Sequence, residues 1–128
     1  MIKKIQDAKV KKRIVVLRLD LNIPYSNGKS NDISRIEKTR ETIHYLVKNA
    51  NKVVILSHFG RPDGKINKDL SLKKLLRYLQ DTINLDIQFL PSLNIEKCRK
   101  AIQSASFPSV FLLENLRFSR LGKAHFHF

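Results

Sequence analysis

Side chains that form directional hydrogen bonds follow several apolar stretches of the sequence, and their types suit the binding of an anion. The first stretch leads into Arg18, Asp20 and Asn22, and the second leads into His58 and Arg61. A guanidinium group presents its N–H donors as a planar fork that matches phosphate or carboxylate oxygens. Carboxylate and amide groups can bind a hydroxyl group. The set predicts a site for a small ligand with two anionic ends and a hydroxyl between them.

Two further arginines belong to the same predicted site. Arg117 follows the last apolar stretch, and Arg35 falls in the first turn of a predicted helix. A helix N-terminus adds unpaired amide N–H groups that favour an anion. A single arginine is more often a surface ion-pair former than a ligand. The prediction therefore depends on the shared location of these residues after strands.

The elements that must position these side chains alternate along the chain. Four apolar segments, at residues 13–20, 52–57, 86–90 and 109–114, predict strands that are buried on both faces, as in a parallel sheet. Helical spacing of apolar residues predicts helices over residues 34–50, 71–83 and 94–105, with Asn49 as a left-handed cap of the first. This order predicts an α/β fold with a doubly wound parallel sheet. Ligands of such sheets bind at the carboxyl ends of the strands.

Composition limits the class of protein. With 128 residues, 42% hydrophobic and 28% charged, the chain has room for one globular domain. The single cysteine, Cys98, excludes an internal disulfide and a cysteine-based zinc site, and its place in a helical stripe predicts a core residue. No apolar run approaches the roughly 20 residues of a membrane span, and the N-terminus is too polar for a secretory signal. A cytoplasmic location is predicted.

The charge predicts an anionic partner. Lysine and arginine number 25 against 11 aspartate and glutamate residues, which gives a net charge of +14. Nucleic acid, an anionic membrane surface and a small phosphorylated metabolite all fit this charge. The lysines are scattered along the predicted helices and loops, whereas the directional groups are concentrated after the strands.

The segments after the strands resemble the signatures of the phosphoglycerate kinase family. Residues 18–24, R-L-D-L-N-I-P, are similar to its Arg-x-Asp-x-Asn-x-Pro signature, with Leu21 and Ile23 where the family often has Phe and Val. Residues 57–62, S-H-F-G-R-P, match its S-H-x-G-R-P loop, and residues 114–118, E-N-L-R-F, look like its E-N-x-R-F segment. Arg35 and Ile36 match the head of its first helix. Order and spacing agree from about residue 5 to residue 118.

The resemblance implies a fold, a reaction and a set of site residues. The fold would be the family's Rossmann-like N-terminal domain, here residues 1–118 and incomplete, whose basic edge holds 3-phosphoglycerate. The reaction is the reversible phosphoryl transfer of glycolysis between 1,3-bisphosphoglycerate and ADP, with Mg²⁺. Arg35 would be the catalytic residue, which stabilises the charge of the transferring phosphoryl group. The implied substrate ligands are Asp20, Asn22, Arg35, His58, Arg61 and Arg117.

The sequence also departs from the family. Nothing in it resembles the nucleotide-binding C-terminal domain, so we predict no ATP, ADP or metal ligand in this chain. The family's later G-T-A-H-R-type segment is not found either. Residues 119–128 do not resemble the family's continuation and are predicted to be a divergent tail, produced by a reading-frame shift or a decayed gene end. These departures predict a truncated substrate-binding fragment without turnover of its own.

Two alternatives remain open. A basic nucleic-acid-binding α/β domain would expose aromatic side chains among its lysines and arginines. The predicted strands instead contain or adjoin Phe89, Phe111 and Phe118, which indicates core positions. A split kinase is the second alternative, in which a separately encoded chain supplies the nucleotide-binding domain.

Overall fold

The structure, a computed structural model, describes residues 4–21, 33–62, 64–106 and 109–118, without the side chains of residues 33–35. The strands are β1 (Ile14–Arg18), β2 (Lys52–Leu56), β3 (Gln88–Leu90) and β4 (Val110–Leu113). The α-helices are α1 (Ile33–Asn49), α2 (Leu76–Ile83) and α3 (Ile95–Ser104). Short 3-10 helices cover Ile5–Asp7, Lys68–Leu70, Leu72–Leu75 and Leu116–Phe118. Each predicted strand and helix is present, although the second predicted helix, residues 71–83, begins as the 3-10 helix Leu72–Leu75 and becomes α-helical only at Leu76.

The strands form one parallel sheet. Their order is β1-β2-β4-β3, and Val53 of β2 is paired with Val15 of β1 on one side and with Val110 of β4 on the other. The chain crosses the sheet in one direction through α1 and α2 and returns through α3. Right-handed crossovers then place α3 on the opposite face from the other two helices. The predicted doubly wound α/β fold is confirmed.

Two hydrophobic cores cover the two faces of the sheet. Val53 and Ile55 of β2 pack with the apolar stripes of α1 and α2, whereas Val54 of the same strand packs with Cys98 and Ile102 of α3. Alternate residues of a strand point to opposite faces, so a strand covered on both sides needs a continuous apolar run. This requirement explains why β2 and β4 contain almost no polar residues.

The left-handed helix cap differs from the sequence prediction. Asn49 is the last residue of α1, and its Nδ2 donates to the carbonyl oxygen of Tyr45 at 2.8 Å. The left-handed cap is instead Asn84, which ends α2 at φ 60° and ψ 48°. Asparagine tolerates the left-handed conformation at either position. The prediction for Asn49 was wrong because residue type alone does not show at which helix end the chain adopts that conformation.

Cys98 is a core residue, as predicted. Its side chain is 2% exposed, and its Sγ lies 3.1 Å from the carbonyl oxygen of Ser92. Burial raises the pKa of the thiol. A buried thiol with a raised pKa is a poor nucleophile, which agrees with a structural role.

The sheet order places the sequence motifs next to each other. β2 lies between β1 and β4, so the segments that follow these three strands begin side by side at one edge. They are the segments that carry the predicted anion ligands. β3 lies on the far side of β4, and the segment after it carries none of the predicted ligands.

Candidate functional site

The segments after β1 and β2 are joined at the carboxyl edge by hydrogen bonds. The Leu19 N–H donates to the Leu56 carbonyl at 3.0 Å, which extends the ladder beyond the strands. The Leu21 N–H then donates to the Oγ of Ser57, also at 3.0 Å, and the Ser57 side chain is fully buried. The Ser57 carbonyl accepts from the Leu116 N–H at 3.1 Å. Ser57 thus connects the segment after β2 to the segments after β1 and β4.

Asn115, just after β4, makes a second connection. Its Oδ1 accepts from the backbone N–H groups of Phe59 at 3.2 Å and Arg117 at 3.0 Å. Its Nδ2 donates to the carbonyl oxygens of Phe59 at 2.7 Å and Leu70 at 2.8 Å. The side chain is fully buried, and these four bonds use its two donors and both acceptor positions. The loop after β2 is therefore held to the segment after β4.

Glu114 holds the start of the helical segment that leads into α2. Its Oε1 accepts from the N–H groups of Leu72 at 2.9 Å and Asn115 at 2.7 Å. Its Oε2 accepts from the Ser71 hydroxyl at 2.6 Å. A carboxylate at the start of a helix satisfies N–H groups that have no partner within the helix. Glu114 therefore acts as a structural cap in a motif that also carries a candidate ligand.

Arg117 lies against the loop that follows β2. Its Nη1 donates to the Gly60 carbonyl oxygen at 3.0 Å, while the side chain remains exposed. Gly60 has a φ of +62°, and a Cβ at this position would lie 2.6 Å from the Cδ2 of Leu70. Glycine is required here by both its conformation and the close approach of Leu70. The turn at Gly60 leads into Arg61, which is exposed on the same loop.

The charges around His58 show which predicted residues share this edge. Burial lowers the pKa of His58, the positive charges of Arg117 and Arg18 lower it further, and the carboxylate of Asp20 opposes them. The imidazole is half-buried, and no described group hydrogen-bonds its buried Nδ1. These effects together favour the neutral form of the ring.

The predicted site residues divide into three groups. Arg18, Asp20, His58 and Arg117 lie close enough to interact electrostatically at the carboxyl edge. Arg61 lies on the loop to which Arg117 is bonded. Asn22 lies outside the described residues, as does the side chain of Arg35, whose backbone forms part of the first turn of α1. The divergent tail predicted for residues 119–128 is also outside the described residues.

The sequence interpretation missed the two residues that hold this edge together. Ser57 and Asn115 are the buried polar side chains in the described part of the chain. Ser57 directly precedes His58, and Asn115 lies two residues before Arg117, so each was assigned to a motif without a separate role. A signal was present, because each polar residue closely follows an apolar run, residues 53–56 for Ser57 and residues 110–113 for Asn115. A polar side chain in that setting must find internal partners.

Other features of the described residues lie apart from this edge or add nothing to it. A cleft of about 700 Å³ runs along α2 and includes Asp86 and Ser109, which precede β3 and β4. It therefore opens at the opposite end of the strands. Within residues 4–21, 33–62, 64–106 and 109–118, no cluster of three or more potential metal ligands occurs. No helix in those ranges has the length and hydrophobicity to cross a membrane.

Known proteins resemble this chain over most of its length. The phosphoglycerate kinase of Orientia tsutsugamushi (strain Boryong) is 42% identical over 118 residues, which is 92% of this chain and 29% of that relative. The phosphoglycerate kinase of Wolbachia sp. subsp. Brugia malayi (strain TRS) is 42% identical over 106 residues, 83% of this chain and 26% of the relative. The chain thus spans less than a third of the curated relatives it matches.

Solved structures and the family model agree with these relatives. The crystal structure of phosphoglycerate kinase from Pyrococcus horikoshii OT3 superposes with a TM-score of 0.76 at 29% identity, covering 92% of this chain and 29% of that one. The enzyme from Coxiella burnetii gives a TM-score of 0.68 at 30% identity, covering 90% and 28% respectively. The model of the phosphoglycerate kinase family matches residues 5–125. This chain therefore belongs to the phosphoglycerate kinase family.

Proposed function

We propose that these 128 residues form the 3-phosphoglycerate-binding part of a cytoplasmic phosphoglycerate kinase, whose complete form transfers a phosphoryl group between 1,3-bisphosphoglycerate and ADP in glycolysis. The observation that carries the proposal is that Arg117 bonds to the Gly60 carbonyl at 3.0 Å, on the loop that carries His58, at the carboxyl edge of the sheet where Arg18 ends the neighbouring strand β1. Three groups that are or can become cationic gain an electrostatic stabilisation when an anion binds between them. Family membership supports a phosphorylated three-carbon acid as that anion.

Each ligand has a role that its chemistry supports. Arg117 uses one N–H to hold the Gly60 carbonyl, so the rest of its guanidinium fork can bind phosphate oxygens. Arg61 adds a second fork from the same loop. His58 takes up a proton when phosphate binds, because the anion offsets the nearby positive charges. Asp20, with Asn22, binds the substrate hydroxyl.

Arg35 is the proposed catalytic residue. Its position in the first turn of α1 brings it to the same edge as the segment after β1. A guanidinium near the transferring phosphoryl group would stabilise the charge that develops on its oxygens. This role rests on the family resemblance and on the backbone position alone.

We further propose that these residues bind phosphoglycerate without turning it over. The complete enzyme uses ATP or ADP with Mg²⁺. The sequence contains no Gly-x-x-x-x-Gly-Lys-Ser/Thr phosphate-binding motif. We therefore assign no residue of this chain to the nucleotide or its metal. A split kinase, in which a second polypeptide supplies them, would show activity only after that polypeptide is added.

Nucleic-acid binding is the second candidate, and the net charge of +14 is the observation in its favour. Base stacking on a protein needs exposed aromatic rings. Among the described residues, however, Phe59, Phe111 and Phe118 are buried, and the exposed large hydrophobic residues are Val16 and Ile66. This arrangement favours a small anionic ligand over single-stranded nucleic acid.

Calorimetry with purified chain and 3-phosphoglycerate tests the binding. Arg61→Ala should weaken the affinity about tenfold to a hundredfold, since a hydrogen bond to a charged group contributes roughly 1.5–3 kcal/mol. Lys97→Ala removes the same charge from the exposed surface of α3 and should change the affinity less than twofold. Equal losses in the two variants, or stronger binding of an oligonucleotide than of 3-phosphoglycerate, would contradict the proposal.

A coupled assay for ADP tests the absence of turnover. Chain, ATP, Mg²⁺ and 3-phosphoglycerate should give no ADP above a control without protein. ADP formation that is lost in Arg35→Ala would show that the 128 residues are a working kinase by themselves. ADP formation that persists in that variant would indicate contamination and would require repurification.

A further inference from the structure

Asn115 occupies a special place relative to the candidate ligands. Its amide binds the backbone on both sides of one residue, Phe59, which lies between His58 and Gly60. It also accepts from the N–H of Arg117, the residue that bonds back to the Gly60 carbonyl. A closed set of hydrogen bonds therefore joins the segment after β2 to the segment after β4, and both segments carry candidate ligands.

The orientation of the amide is set by its surroundings. Two carbonyl oxygens face Nδ2 and two N–H groups face Oδ1, so exchanging nitrogen and oxygen would turn all four contacts repulsive. The amide is buried, and water does not compete for these bonds. A buried and fully satisfied polar group favours one arrangement of the groups around it.

We propose that Asn115 is a positioning residue for the anion site, which sets the separation of Arg117 from the His58–Arg61 loop. This inference rests on the proposed function and adds a residue that does not itself touch the ligand. Its side chain is closed off beneath the loop, and its bonds end on backbone groups. Its effect on the ligand must therefore pass through Arg117, His58 and Arg61.

Separation matters because the candidate ligands must act on the same anion. Displacement of a binding group by about 1 Å is enough to lose much of a directional contact. The hydrogen bond between Arg117 and the Gly60 carbonyl is one such directional contact. Its two partners lie on separate loops, and Asn115 joins those loops. Loss of the amide would leave both loops attached to the sheet but no longer aligned with each other.

The test compares two core substitutions. Asn115→Ala removes the four hydrogen bonds. Ile102→Ala removes apolar volume from α3 instead, because Ile102 is fully buried on the face of the sheet that α3 covers. Both variants should melt below the wild-type temperature. Affinity for 3-phosphoglycerate, measured well below either melting temperature, should fall about tenfold or more in Asn115→Ala and less than twofold in Ile102→Ala. Equal affinities of the Asn115→Ala and Ile102→Ala variants for 3-phosphoglycerate would overturn the positioning role.

A second measurement needs no ligand and separates this inference from the proposed function. NMR titration follows the imidazole of His58, whose neighbours are Arg117, Arg18 and Asp20. In Asn115→Ala the pKa of His58 should rise towards its ordinary value, because the ring becomes less buried and Arg117 moves away. It should stay at its wild-type value in Ile102→Ala. If the wild-type chain fails to bind 3-phosphoglycerate, the proposed function fails, and this titration still decides whether Asn115 sets the loop.

Asn115→Ser provides a milder variant if the alanine variant does not fold. The space it leaves is polar, and a water molecule can occupy it and bridge some of the carbonyl and N–H groups.

The wild-type chain gives a third measurement, the exchange rate of the Asn115 side-chain amide. We expect exchange as slow as that of the amides of β2. Exchange as fast as that of the exposed Asn51 would overturn the inference.

Discussion

The guanidinium of Arg117 donates to the carbonyl oxygen of Gly60 across 3.0 Å, and this bond joins residues that are 57 positions apart in sequence. It brings an arginine that follows β4 to the turn that precedes Arg61, which follows β2. The bond also restricts the rotation of a long side chain, so part of the entropy cost of binding an anion is already met. Several consequences of this arrangement can be measured.

The shape of the Arg117 side chain should matter as well as its charge. Arg117→Lys keeps a positive charge but loses the fork that can hold Gly60 and an anion together, so 3-phosphoglycerate should bind about tenfold more weakly. Thermal stability should change little, because the side chain is exposed. Arg77→Lys on the exposed face of α2 is the matched control, and calorimetry on both variants provides the comparison. Unchanged affinity in Arg117→Lys would remove this residue from the proposed ligand set.

The protonation of His58 should be coupled to anion binding. In the free chain its pKa lies below the ordinary value of 6.5, because of burial and then of Arg117 and Arg18. The unfolded state therefore binds a proton more readily, and this histidine lowers stability as the pH falls from about 6.5 through the folded pKa. A bound phosphate favours the protonated ring, so saturating 3-phosphoglycerate should raise the pKa. NMR titration with and without ligand measures the shift, and a pKa that does not move would place the phosphate away from His58.

Gly60→Ala should destabilise the chain by about 1–2 kcal/mol through its positive φ, with a further cost from the contact with Leu70. The steric part can be isolated with a double-mutant cycle. Gly60→Ala should cost less free energy of unfolding in a Leu70→Ala background, since the Cδ2 that the new Cβ would meet is gone. Urea unfolding of the four chains gives the coupling energy. Strict additivity would show that Leu70 moves aside freely.

Glu114 should contribute to stability through its cap on residues 71–72. Glu114→Ala leaves the N–H groups of Leu72 and Asn115 without the carboxylate, and we expect a loss of about 2–3 kcal/mol. Glu114→Gln keeps one oxygen acceptor and should lose less than half as much. Glu96→Ala, which removes a partly exposed ion pair with Arg99 and an acidic side chain from the first turn of α3, should cost less than about 1 kcal/mol. A loss in Glu114→Ala no greater than in Glu96→Ala would contradict the capping role.

The local sequence was sufficient to predict the elements. Residues 53–56 and 110–113 are continuously apolar runs too short for helices, and both lie in strands. Ser71 and Asn94 were predicted at the starts of helical segments, and each side chain accepts from an N–H group there. These features depend on interactions between residues close in sequence, which is why the pattern of residues determines them. The motifs likewise identified Asp20, Asn22, Arg35, His58, Arg61 and Arg117 as candidates before any contact was known.

The sequence by itself thus determined the α/β alternation, the family signatures and the excess of positive charge. The tertiary structure decided which strands are neighbours, and the order β1-β2-β4-β3 placed His58 between the segments that carry Arg18 and Arg117. It also decided the roles of Ser57 and Asn115, whose side-chain hydrogen bonds reach residues up to 56 positions away. A buried polar group must be satisfied by whatever the folded chain brings to it, and those partners exist only after the sheet has formed.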